Sequence, residues 1–229
     1  MSSVVLVTGA GRGIGLELVR SYAAAGWTVL ATVREAQRAA ALRALPGRIE
    51  VLPGLDVTDP DSVAALAAGL NGRPLDLLIN NAGVYGPDSP ELGRFDYRAW
   101  EQVLAVNTLG PVRVTEALLP NLRAGTGRTI ASLTSLMGSI GDNSGGGALF
   151  YRSSKAGLNA AMKTVAIALR PERFTVVVLH PGWVRTDMGG PSAPLDVQAS
   201  AAGLIRVIGR LGPGDSGRFF NYDGRELPW

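Results

Sequence analysis

The chain has 229 residues, enough for one large domain or two small ones with a substantial buried core. Hydrophobic residues make up 46% and charged residues 18%, and the absence of cysteine excludes disulfides and thiolate metal sites and fits a cytoplasmic location. The net charge of +3 comes from arginines scattered along the chain, which argues against nucleic acid as a partner, and no apolar run approaches the roughly 18–20 residues of a membrane span.

The opening "MSSVVLVTGAG" runs from four apolar residues straight into glycines, without the charged start and the apolar stretch of about 7–15 residues of a secretory signal. Seven short β-branched or leucine-rich runs read as strands, at 4–8, 27–32, 49–57, 75–80, 128–133, 174–179 and 217–221. Several are nearly continuous apolar runs, the pattern of strands covered on both faces. Amphipathic or alanine-rich segments at 14–25, 35–45, 60–70, 97–123 and 152–170 read as the helices between them. "TDPDS" supplies a cap for the helix at 60, and Pro171 closes the one that begins near Tyr151. The alternation predicts an α/β fold, a single-domain Rossmann-like doubly wound parallel sheet of about seven strands with helices on both faces. No repeat, linker or composition break divides it. In such a sheet, ligands sit beyond the carboxyl ends of the strands.

"TGAGRGIG", Thr8 to Gly15, follows the first strand and opens a helix. Glycine lets a pyrophosphate approach the backbone, and the helix start offers free N–H groups to the anion. Thr8, Gly9, Gly11, Arg12, Gly13, Ile14 and Gly15 are therefore candidates for cofactor binding; the alternative is an ordinary glycine-rich turn. An NAD site places a carboxylate near the end of the second strand, to bind the ribose 2′-hydroxyl. Here that strand ends in Val33 and Arg34, with Glu35 only after them. Arg34, joined by Arg12, can grip a 2′-phosphate, so NADP(H) is expected over NAD(H), unless Arg34 is only a solvated arginine at a helix start. Asp56, followed by Val57, is placed to accept from the adenine amino group, or else to cap a turn.

Further on, "FYRSSKAGLNAAMK" holds both lysines of the chain, Lys155 and Lys163, while the other twenty basic residues are arginine. Tyr151 and Lys155 are four apart in a helical pattern and share one face. A phenol ordinarily titrates near 10, too high for efficient proton transfer at neutral pH. Lowering it by about three units takes roughly 4 kcal/mol, which one cation at about 4 Å supplies at an effective dielectric near 20. Lysine does this as a compact point charge with three rotatable donors, where a planar guanidinium would crowd a cofactor.

Together, "TGAGRGIG", "NNAG" at 80–83, Asn107, "YRSSK" at 151–155 and "PGWVRT" at 181–186 resemble the short-chain dehydrogenase/reductase family, in the family's order and over essentially the whole chain. The region from "LTSLMGSIGDNSGGG" to "YRSSKAGLN" is similar to the branch containing C-factor and sniffer-type carbonyl reductases. The resemblance implies a nicotinamide cofactor, a small-molecule carbonyl or alcohol substrate, and a homodimer or homotetramer. It implies catalytic roles for Tyr151, Lys155 and Asn107, the last supporting a water that restores the proton. Asn80, Ala82 and Gly83 match the stretch behind the adenosine, and Pro181, Gly182, Val184 and Thr186 match the loop at the nicotinamide. Family members often carry the carbonyl-polarising serine 13 residues before the tyrosine, but that position is Gly138. Ser135 fits the local pattern, with "GDNSGGG" as an insertion, while Ser132 and Ser139 stay open.

Other residues read more plainly. One histidine, His180, without cysteine or clustered carboxylates makes no metal site, and it reads as structural. Lys163 reads as surface. Trp183 and Met188 line a substrate pocket or pack a loop, and "TDMGGPSAP" at 186–194 forms a lid over the cofactor. The alanines at 156, 160, 161 and 168 allow close helix pairing between subunits, or pack on their own sheet. The expected activity is NADPH-dependent interconversion of a carbonyl and an alcohol; the alternative is a cofactor-binding signalling or regulatory protein of the same fold with little turnover.

Overall fold

In the computed structural model, which describes residues 2–87 and 91–229, seven strands form one parallel sheet. They are β1 (Val4–Val7), β2 (Thr28–Val33), β3 (Arg48–Pro53), β4 (Leu77–Asn80), β5 (Thr129–Leu133), β6 (Thr175–His180) and β7 (Phe219–Asn221). Their spatial order is β3-β2-β1-β4-β5-β6-β7, so the winding direction reverses between β1 and β4. That is the position where an open parallel sheet leaves a crevice at its carboxyl edge.

Both faces of the sheet are covered over its inner strands, which is why several of them read as nearly continuous apolar runs. Val5 and Val7 of β1, with Val29 and Ala31 of β2, pack under α1 (Gly13–Ala24) and α8 (Val197–Ile208). Leu6, Leu30 and Leu78 point the other way, into the layer of α3 (Pro60–Leu70), α5 (Gly110–Ala117) and α7 (Leu149–Ala168). Each such Leu or Val, fully buried, contributes about 1.5–3 kcal/mol of transfer free energy. None of the helices among the described residues is long and apolar enough to cross a membrane.

Several elements differ from the sequence expectation for local reasons. The third strand stops at Pro53, because Gly54 turns the chain at φ 94°, and this leaves Asp56 and Val57 in the following loop. The segment at 35–45 is a 3-10 turn (Ala36–Ala39) and a single helical turn, α2 (Ala40–Arg43). The long segment at 97–123 divides into α4 (Tyr97–Leu104), a π turn (Ala105–Leu109), α5 and α6 (Leu119–Ala124). Pro111 has no N–H to give the carbonyl of Asn107 its normal α-helical bond, and its ring would clash there. The backbone widens instead, and Gly110 N–H bonds the carbonyl of Ala105. Asp59 caps α3 through Asp61 N–H at 3.0 Å, as the "TDPDS" pattern predicts. Helix α8 was not among the predicted segments; Asp196 caps it by accepting from Ala199 N–H at 2.6 Å.

Candidate active site

A cleft of about 560 Å³ runs along the carboxyl edge of the sheet, from Arg34 at one end to Tyr151 and Lys155 at the other. Its floor is the glycine loop between β1 and α1, fastened to the loop after β4. The Thr8 hydroxyl accepts from the N–H groups of Asn81 and Ala82, both at 3.0 Å, and the Asn81 amide donates to the carbonyls of Thr8 and Gly9 at 2.8 and 3.0 Å. Gly9 has φ 64°, and a Cβ there would lie 2.9 Å from Ala82 Cα; one on Gly15 would lie 2.5 Å from Asn81 Nδ2. These glycines are needed for close approach of two loops. Asn81, missed in the sequence reading, thus organises the cleft, whereas Asn80 points into the core, with its amide 3.2 Å from both the Thr115 and Ser132 hydroxyls.

Helix α1 starts at Gly13 without an acidic residue in its first turn and without a side-chain cap, so its N-terminal N–H groups are free to meet an anion beside Gly11 and Ile14. Arg12 is ion-paired with Asp187 across the mouth of the cleft, tying the glycine loop to the 186–194 segment; this differs from its expected place on a 2′-phosphate. Arg34 is exposed, 3.1 Å from Glu35. Arg38, from the 3-10 turn, lines the same end of the cleft and closes on Gly11, where a Cβ would lie 2.9 Å from its own Cβ. Two guanidiniums therefore flank this end. Asp56 turns one carboxylate oxygen to the Thr58 hydroxyl and N–H, at 2.7 and 2.8 Å. The Thr58 hydroxyl chiefly, and Arg34 to a smaller degree, hold its carboxyl below the usual range. Val57 and Gly83 line the cleft between its two ends.

At the inner end, Tyr151 and Lys155 project from the first two turns of α7, and Ser135 caps the 3-10 turn after β5. Of the three candidate serines, Ser135 is the one whose side chain adjoins the Tyr151 phenol. The Ser132 hydroxyl is buried and receives the Asn80 amide, and the Ser139 hydroxyl receives Asp142 N–H at 3.0 Å. The structure also accounts for glycine at 138. A Cβ there would lie 2.8 Å from Lys155 C and Cβ, so no side chain fits against α7.

Asn107 sits in the π turn, fully buried. Its amide accepts from Val84 N–H at 2.9 Å and donates to Val84 C=O at 2.7 Å and to the Ser154 hydroxyl at 2.9 Å. The side chain is thus a clamp on the loop after β4. Lys155 is 5% exposed and donates to the Leu133 carbonyl at 2.8 Å. Burial pulls its ammonium down to about 8. Tyr151 does not show the depressed phenol expected from its lysine neighbour. Burial pushes it up to about 12, the Ser135 hydroxyl pulls the other way, and Tyr85 adds to the rise. The lysine Nζ is turned toward Leu133 and stands 5.8 Å from the Tyr151 ring centre, so desolvation of the phenolate wins.

The loop after β6 completes the cleft. Pro181 and Thr186 line it, while Gly182 (φ 87°) and Val184 shape the loop behind, the former packed on Leu195 and Tyr222. The Trp183 indole, exposed, donates to the Gly189 carbonyl at 2.8 Å, and Met188 faces the cleft. His180 is largely buried, and burial lowers it to about 4, in keeping with a structural role. Lys163 is exposed as expected, yet it bonds the Gly217 carbonyl at 2.7 Å and covers the Trp229 ring. Ala160 and Ala168 face outward, while Leu158, Met162 and Ala166 pack on the sheet.

The residues fit a dinucleotide: a glycine floor, a free helix start, a cationic end, and at the far end a phenol, a hydroxyl and an ammonium. Comparisons with known proteins agree. A family model described as short chain dehydrogenase matches residues 3–194. The C-signal protein of Myxococcus xanthus is 52% identical over 165 residues, covering 72% of this chain and 99% of that protein. Among solved structures, the carbonyl reductase Sniffer of D. melanogaster is 36% identical with a TM-score of 0.91, and both chains are covered in full. The NADPH-bound carbonyl reductase from chicken fatty liver is also 36% identical with a TM-score of 0.91, covering 100% of this chain and 99% of that one.

Proposed function

The chain belongs to the short-chain dehydrogenase/reductase family, and on that premise we propose that it is an NADPH-dependent carbonyl reductase. The observation that carries the proposal is the meeting of Tyr151, Ser135 and Lys155 at one end of a cleft whose other end holds Arg34 and Arg38. The two arginines favour a 2′-phosphate, and relatives of known cofactor content include the NADPH-bound chicken enzyme. When bound, the reduced nicotinamide supplies the hydride.

The side chains of the protein supply the rest. Tyr151, protonated at neutral pH as phenols are, donates the phenolic proton to the carbonyl oxygen. Ser135 donates a hydrogen bond to the same oxygen and stabilises its developing charge. Lys155 anchors the ribose hydroxyls and keeps a positive charge near the phenolate that proton donation leaves behind. Asn107 fixes Val84 and presents its backbone carbonyl, deprived of an α-helical donor by Pro111, to a water that refills the proton. The cysteine-free chain is assigned to the cytoplasm, and a homodimer or homotetramer is the expected assembly.

The test is NADPH absorbance followed against a panel of aldehydes and ketones, with NADH and the Ser135→Ala variant alongside. Consumption of NADPH faster than NADH, reduced about a hundredfold or more in the variant, supports the reading. Tight NADPH binding without turnover on any carbonyl replaces it with a cofactor-sensing role.

A further inference from the structure

Tyr85 belongs to none of the motifs above. It follows Val84, whose N–H and C=O are both held by the Asn107 amide, so its backbone is fixed by the side chain that organises the site. Its ring packs on that of Tyr151, with centroids 4.8 Å apart and planes inclined by 33°. Tyr151 is only 9% exposed while Tyr85 is half-buried, so Tyr85 carries the solvent-facing side of the pair. A carbonyl oxygen hydrogen-bonded to Tyr151 brings its carbon within roughly 4 Å of the phenol oxygen, from the bond lengths alone. Tyr85 stands at the rim of the cleft, between its ring partner Tyr151 and its chain neighbour Val84, both of which line it, so the substituents on that carbon come close to the Tyr85 ring. Met188, exposed on the 186–194 segment, gives the cleft a further apolar and polarisable lining.

We propose that Tyr85 is a specificity-determining residue: the aromatic wall against which a planar aryl or conjugated carbonyl lies while its oxygen reaches Tyr151. The proposal rests on the carbonyl-reductase reading and narrows it to a substrate class. A flat π system can take an offset or edge-on contact with Tyr85, which favours it by about two- to tenfold over a saturated ring of similar size and buried area. A branched, saturated carbon beside the carbonyl has the same volume to place and no matching quadrupole.

The test compares wild type, Tyr85→Phe and Tyr85→Leu in two assays. Calorimetry with NADPH present measures binding of benzamide against cyclohexanecarboxamide, neither of which is reduced. Kinetics compare acetophenone with cyclohexyl methyl ketone. Wild type and Tyr85→Phe are expected to prefer the aryl member of each pair. Tyr85→Leu is expected to lose about two- to tenfold for the aryl member, through KM more than kcat, and less than about twofold for the saturated one. Equal losses for both members, or a wild type that discriminates between neither amide, overturn the proposal, and the wild-type ratio decides even where Tyr85→Leu does not fold. Retained aryl-amide preference without turnover of either ketone, or of any carbonyl in the wider panel, sinks the reductase reading and leaves the assignment of Tyr85 standing.

Discussion

Replacing Lys155 with Met removes a buried ammonium while keeping a long apolar stem. Lys155 is 5% exposed, and burial lowers its pKa from 10.5 to about 8. That difference corresponds to about 3 kcal/mol, at roughly 1.36 kcal/mol per unit, by which the charged form is disfavoured in the fold. Against it stands the lost bond from the ammonium to the buried Leu133 carbonyl, about 1.5–3 kcal/mol. Lys155→Met is therefore expected to be as stable as wild type at pH 7 or more so, by up to roughly 1.5 kcal/mol, a Tm rise of at most a few degrees for a chain of this size, while its reductase activity collapses. The pH dependence carries the sharper sign. Between about 8 and 10.5 the unfolded chain holds the lysine proton and the folded chain releases it, so wild-type stability rises with pH through that window. The advantage of the variant should shrink to nothing, or reverse, by the top of it. Urea unfolding of both proteins at pH 7 and 10 measures this. A variant less stable than wild type at pH 7, by an amount that does not change with pH, would show that the buried ammonium carries no such penalty.

Three further outcomes follow from particular contacts. Gly138→Ala puts a Cβ 2.8 Å from the Lys155 backbone, so it should destabilise the fold by about 1–3 kcal/mol and lower kcat by displacing Ser135 from Tyr151; unchanged unfolding and kcat would contradict the close approach. His180, lowered by burial from 6.5 to about 4, should take up a proton on unfolding in that window. Stability is then lost as pH falls from 6.5 to 4, by up to about 3 kcal/mol, and His180→Gln should flatten this acid arm in urea titrations; an arm of the same slope in the variant would clear His180 of the effect. Arg34→Ala with Arg38→Ala should weaken NADPH about tenfold and NADH hardly at all, the exposure of Arg34 keeping the effect modest; equal losses in fluorescence titrations would remove the 2′-phosphate reading.

The inner strands were legible because they are buried on both faces, so burial alone wrote apolar runs into β1, β2, β5 and β6, whereas the edge strand β3 alternates exposed and half-buried residues. The glycine loop and the Tyr151–Lys155 pair were legible for another reason: special backbone and side-chain chemistry restricts the choice of residue. What was missed depends on three-dimensional packing. The break in the 97–123 segment hangs on a widened turn ahead of Pro111, and "NTLGP" was the available signal. Asn80 and Asn81 are adjacent and alike, and only the alternation of side chains past the end of β4 sends one into the core and the other across the cleft. Arg38 could have been read as one turn beyond Arg34. Helix α8 was also readable, from Asp196 as a cap and from the spacing of Val197, Ala201, Leu204 and Ile208. The Tyr151 pKa failed for a physical reason: the expectation counted the cation and left out the desolvation that outweighs it.

Whether Tyr151 delivers the proton is decided by turnover of Tyr151→Phe measured with its NADPH affinity in the same preparation. NADPH binding is expected to be unchanged and kcat to fall at least about a hundredfold, within the usual range for losing a positioned acid. Carbonyl reduction at close to the wild-type rate, with NADPH still bound, would contradict that role.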